Sequence, residues 1–202
     1  MRRISLIIST SILAAFIISC SEHKSEVIIE NPSEIQNIEP DVLVQIQTLN
    51  DSVHLSWVAL VQLDSQKFAN IKRLVEEVSY CKKYNEKEVQ KALKLNNEAI
   101  ALMYTQANLS DSIITLYDNK TDEVIRVVRN LKSNTEEITQ HPLADQLENE
   151  IMEADALLVN FRNKYDQIAS EYNGFLDKNK EAIVSKDSEK KYIKKQLFSV
   201  VL

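Results

Sequence analysis

Apolar residues recur through the first half of the chain at steps of three and four: Val42, Ile46, Leu49, Val53, Trp57, Leu60, Phe68, Ile71, Val75 and Val78. That spacing lays one continuous stripe along a helix. At 1.5 Å per residue the helix is roughly 55 Å long. The stripe is broken once, where Asp64 falls on it. A second apolar line, Leu43, Val58, Val61 and Leu74, runs beside it. A stripe this wide suits a bundle better than a two-stranded coil. Asp41 precedes the helix as an N-cap or first-turn acid. Lys82-Lys83-Tyr84-Asn85 interrupts the pattern with the residues of a helix end and a turn.

The next stripe, Val89, Leu93, Ile100 and Met103 with Asn96 on it, predicts a second helix over 86–105. Ser110-Asp111 and Thr121-Asp122-Glu123 are both start signals. The main third helix is expected over 122–140, on Val124, Val128, Leu131 and Ile138, with 111–118 joining either it or the second helix. His141-Pro142 marks a boundary, because the residue before proline avoids the helical region. From Pro142 to about Leu176 the register is the most regular in the chain: Leu143, Leu147, Ile151, Ala154, Leu158, Phe161, Tyr165, Ile168, Tyr172 and Phe175. Residues 177–191 are charged and expected to be mobile. The final apolar stretch, Tyr192 to Leu202, is expected either to dock as a short helix or to remain a free tail.

Composition strengthens the helical reading. One glycine and three prolines among 202 residues leave little material for tight turns. The expected fold is all-α, an antiparallel four-helix bundle with long helices over 41–176, followed by a charged tail with an apolar end over 177–202.

The first forty residues read as an address. Arg2 and Arg3 precede an apolar run over 4–19 that is short for a membrane span and suits a signal peptide. The run ends Ile17-Ile18-Ser19-Cys20, which resembles a bacterial lipobox. That resemblance implies removal of residues 1–19 and lipidation of Cys20, with several acyl chains giving stable anchoring. Residues 20–40, rich in Ser, Glu and Asn, then form a tether. The expected location is the bacterial cell envelope, extracytoplasmic and lipid-anchored. With Cys20 lipidated, Cys81 has no partner for an intramolecular disulfide and reads as a small buried apolar residue.

Charge narrows the partners. The formal net charge is −6, and loss of Arg2 and Arg3 leaves 22 basic against 30 acidic residues, a net of −8. An acidic domain argues against nucleic acid and against anionic lipid bound through the fold itself. The three histidines, His23, His54 and His141, build no Glu-x-x-His pair, so no metal or other cofactor is expected. No phosphate loop, nucleophile elbow or Cys/His cluster occurs. The chain is not expected to be an enzyme.

Two stretches resemble the LemA family. The first is Val53-His54-Leu55-Ser56-Trp57, Gln66-Lys67-Phe68 and Ile71-Lys72-Arg73-Leu74-Val75; the second is Arg162-Asn163-Lys164-Tyr165-Asp166 with Tyr172-Asn173 one heptad later. His141-Pro142 is similar to the family's Tyr-Pro pair. Lys72 stands where the family has proline, so an uninterrupted first helix is expected, and Asp166 replaces an asparagine. The resemblance implies a four-helix bundle outside the cytoplasmic membrane, usually anchored at its N-terminus. It implies no enzymatic activity.

Four residues carry the candidate chemistry. Asp64 is either a core polar site or partner contact, or a residue rotated to the stripe's edge beside Lys67 or a lysine on another helix. Trp57, Tyr165 and Tyr172 either pack the core or hold a ligand between helices. The expected function is a membrane-tethered helical scaffold or protein-interaction module working on another envelope protein. The alternative is a small-ligand carrier using the bundle core.

Overall fold

The structure, a computed structural model, describes residues 41–188 and 192–199. The expected signal peptide over 1–19, the expected lipidation site Cys20 and the expected tether over 20–40 therefore lie outside the described residues. The described chain is an all-α bundle of four helices: α1 (Val42–Ser79), α2 (Glu86–Ala101), α3 (Asp111–Ser133) and α4 (Pro142–Lys186). A short 3-10 turn over Ile138–Gln140 precedes α4.

Side-chain caps start three of the helices. Asp41 accepts from the Leu43 N–H at 2.8 Å, Asn85 from Lys87 and Glu88, and Ser110 from Ile113. Each satisfies donors that the first turn leaves orphaned. α4 instead opens with Pro142, whose missing N–H costs nothing in the first turn. α1 continues without a break through Lys72.

Four boundaries differ from the sequence expectation. α2 stops at Ala101 rather than 105, and Tyr104 and Leu109 are buried from the following loop. α3 begins at Asp111, so 111–118 belongs to it. The Thr121 signal is not a start, because its hydroxyl donates to the Tyr117 carbonyl inside the helix. α3 ends at Ser133, where Thr135 turns back to donate to the Leu131 carbonyl. α4 runs ten residues past Leu176 to Lys186, and Ile183 is buried in that extension. Gly174 has room around it and does not stop the helix.

Cross-helix pairs fix the topology. Asp41 meets Lys186, Lys67 meets Asp155, Asn70 meets Glu150 and Glu77 meets His141. Numbers rise on α1 as they fall on α4, so the two long helices are antiparallel along their whole length. α3 lies beside only the first half of α4: Lys132 pairs with Asp145, Arg129 with Glu148, and Asp118 with Arg162. The bundle is thus four helices deep up to the level of Arg162. Beyond it α1 and α4 continue as a pair for 24 residues of α4, roughly 36 Å.

Candidate functional site

The overhanging part of the α1–α4 pair is where residues 192–199 lie. They form no helix or strand. Of the two alternatives left open, a docked short helix and a free tail, neither is seen: the segment docks without forming a helix and bends at Phe198 and Ser199.

α4 holds this segment with two Tyr-Asx pairs spaced seven residues apart. Asp166 accepts from the backbone N–H of Phe198 at 2.7 Å, from the N–H of Ser199 at 2.8 Å and from the Ser199 hydroxyl at 2.7 Å. Asn173 donates to the Lys195 carbonyl and accepts from the Lys195 N–H, both at 2.8 Å. That reciprocal pair copies the bonding between neighbouring strands. The Tyr165 hydroxyl donates to the Gln196 carbonyl at 3.1 Å. The Tyr172 hydroxyl bonds the Ile193 backbone, and the Lys195 ammonium sits 5.1 Å from the Tyr172 ring.

The spacing has a simple geometric basis. Seven residues of helix rise about 10.5 Å. Three residues of non-helical chain, from Lys195 to Phe198, reach at most about 10 Å. Asp166 and Asn173 therefore meet the segment in register, one turn pair apart on the same face.

Phe198 fills an aromatic pocket. Trp57 of α1 stacks on it at 6.1 Å, while Tyr104 and Tyr165 meet it edge-on at 5.1 and 5.6 Å. The Arg162 guanidinium lies 5.2 Å from the Phe198 ring and 5.3 Å from the Tyr104 ring. Arg162 is fixed there by bonds of 2.9 and 2.6 Å to the two Asp118 oxygens and of 3.1 Å to the Tyr104 hydroxyl. This is a bidentate pair with a cation over two rings, the geometry in which arginine outperforms lysine. Burial pushes the Tyr165 hydroxyl up to about 12, with the nearby Asp166 charge adding to the shift. Burial also lowers the Lys195 ammonium below its ordinary value.

A second polar site lies deeper in the bundle. Asp64 and Lys67 are 1% and 0% exposed, and their charges approach to 3.0 Å. Lys67 also donates to Asp155 of α4 at 3.1 Å. Neither Asp64 oxygen accepts an aligned hydrogen bond. Tyr104 and Tyr117 are held well above the ordinary tyrosine range, first by burial, with the Asp64 charge contributing. The edge-of-stripe reading of Asp64 is therefore corrected: the carboxylate is in the core. Its proximity to Lys67 was expected, whereas the burial of Lys67 was not.

A cavity of about 890 Å³ lies elsewhere, between α3 and α4, and its facing charges pair with one another across it. Among the described residues no group of three or more histidine, cysteine, aspartate or glutamate side chains could hold a metal ion. No described helix is long and apolar enough to cross a membrane.

Trp57 and Tyr165 thus come together, 5.3 Å apart, in the Phe198 pocket, and Tyr172 lies one heptad along the same groove. Asp64 is in a separate site. Sequence reasoning missed Asp166, Asn173, Arg162 and Phe198 as partners of one another. The signal was present, since Arg162, Tyr165, Asp166, Tyr172 and Asn173 are the polar and aromatic members of one motif. No family model, curated protein or solved structure matches the chain.

Proposed function

We propose that this protein is a lipid-anchored, extracytoplasmic helical scaffold of LemA type that works as a protein-interaction module in the bacterial envelope. Cys20 carries the lipid, residues 20–40 tether the bundle, and another envelope protein is the partner. One observation supports the interaction reading most. The motif residues of α4 converge on the backbone of a non-helical polypeptide segment, and not on a space shaped for a small molecule. Phe198 takes up the space between Trp57, Tyr104 and Tyr165 that a carried ligand would need.

The test is photo-crosslinking in cells from exposed α1 and α4 positions such as Leu55 and Val159, with Cys20→Ala as the companion variant. The expected result is one envelope protein captured reproducibly, with capture and membrane association both lost in Cys20→Ala. Recovery of nothing above background, or a Cys20→Ala protein that keeps its lipid label, overturns the reading.

A further inference from the structure

We propose that the groove along the overhanging α1–α4 pair is a binding site for a non-helical Phe-Ser segment of a partner polypeptide, bent at that dipeptide, and that residues 192–199 occupy it as an intramolecular competitor.

The contacts carry this assignment. Asn173 and Tyr165 bond only backbone atoms of the segment, at Lys195 and Gln196, and Asp166 takes the N–H groups of Phe198 and Ser199. A site that reads backbone this way selects backbone shape over sequence: a reciprocal, strand-like pair at Lys195, then a bend at Phe198 and Ser199 that turns two successive N–H groups onto one carboxylate. Side-chain selection is confined to two neighbouring positions. The aromatic pocket with its Arg162 wall takes Phe198, and Asp166 takes the Ser199 hydroxyl. A chain with Phe followed by Ser makes the same bonds when it bends at that dipeptide as residues 198–199 do.

The receptor side is built in advance. Trp57, Arg162, Tyr165, Asp166, Tyr172 and Asn173 all stand on two long helices, and Asp118 and Tyr104 lock the arginine. A preorganised site loses little freedom on binding. The resident segment, by contrast, has no regular structure of its own. The entropy of ordering eight residues offsets much of what its hydrogen bonds contribute. Such a segment exchanges with a competitor instead of being locked down.

The inference rests on the interaction-module reading. Its test uses the full chain and a fluorescently labelled peptide of residues 192–199, with binding followed by anisotropy and by the emission of Trp57, the only tryptophan. Phe198→Ala in the protein empties the pocket of its resident ring. The labelled peptide is expected to bind this variant at least tenfold more tightly than the unaltered chain. Replacing Phe by Ala in the peptide, or adding Asp166→Ala to the protein, should abolish binding. Should Phe198→Ala unfold the bundle, Ser199→Pro opens the groove by removing an exposed N–H donor to Asp166.

Absence of binding to either opened variant, with helical circular dichroism intact, overturns the proposal. So does equal affinity for opened and unaltered chains, which shows that the resident segment does not compete. A dimeric unaltered chain that the peptide converts to monomer identifies a second copy as the occupant and overturns the partner assignment. The assay needs no lipid or membrane. Its failure beside a captured envelope partner therefore sinks only the groove, and success without a captured partner sinks only the envelope role.

Discussion

Two buried aspartates in this bundle do opposite jobs. Asp64 is 1% exposed, faces one lysine on its own helix and accepts no aligned hydrogen bond. Asp166 is 8% exposed and accepts three hydrogen bonds, all from a segment that is not part of any helix. A carboxylate removed from water is costly unless charge or donors replace the hydration. At Asp64 the replacement is one lysine, itself shared with Asp155, and both belong to helices of the core. At Asp166 it is a set of donors from a separate stretch of chain, so the same desolvation is coupled to docking. Burial of an acid in a bundle is therefore not by itself a sign of function; the source of its partners is.

The largest expected effect tests the first half of that contrast. Lys67→Met strands the Asp64 charge in the core and should destabilise the fold by about 3–5 kcal/mol, read as a lower urea midpoint. Asp64→Leu combined with Lys67→Met should recover most of the loss, since an apolar pair of similar volume replaces a buried ion pair at little cost. A single variant as stable as the unaltered chain would show that the pair does not matter to the fold.

Asp166→Ala tests the second half. It removes three hydrogen bonds but no core volume, and should cost about 1–3 kcal/mol. The signature is local: Trp57 emission changes as Phe198 leaves, while far-ultraviolet circular dichroism keeps its helical amplitude. Loss of helix on Asp166→Ala would erase the distinction between the two aspartates.

Alkaline pH gives a smaller effect. Free tyrosine titrates near 10, and the fold raises Tyr165 to about 12, chiefly by burial. Between those values the unfolded chain releases a proton that the folded chain keeps, so stability falls as pH rises. The contribution is fully present below pH 10 and is lost across pH 10–12. Tyr165→Phe should show a shallower decline in melting temperature over that window, and an identical slope would remove Tyr165 as its source. Least of all is expected from Lys186→Ala. Its pair with Asp41 is half exposed on both sides, and solvent screening leaves such a surface pair with little net effect on stability.

Much of the fold was legible because helical periodicity depends on local spacing alone. The stripes from Val42 and from Leu143 placed both long helices, and α1 ends within a residue of its expected position. Misplaced boundaries occurred where tertiary contacts override local signals. Ile183 and the Asp41 pair extend α4 through a charged stretch that reads as tail. Buried Thr121 mimics a cap while its hydroxyl serves the preceding turn. Of the site, Trp57, Tyr165 and Tyr172 were visible as aromatics on a stripe. Asp166 and Asn173 stand beside that stripe, where polar residues are unremarked, and their role depends on a segment twenty to thirty residues away that has no periodicity to read.

The pairing of α1 with α4 also sets an order of events. Asp41 and Lys186 are 145 positions apart, and contacts of such separation form late, because the closure entropy of the intervening chain must be met first. α2 and α3 are joined by nine residues, 102–110, and their contacts are local. The helical hairpin they make is the fast-forming piece, and the stripe of α1 stays without its main cover until α4 is complete.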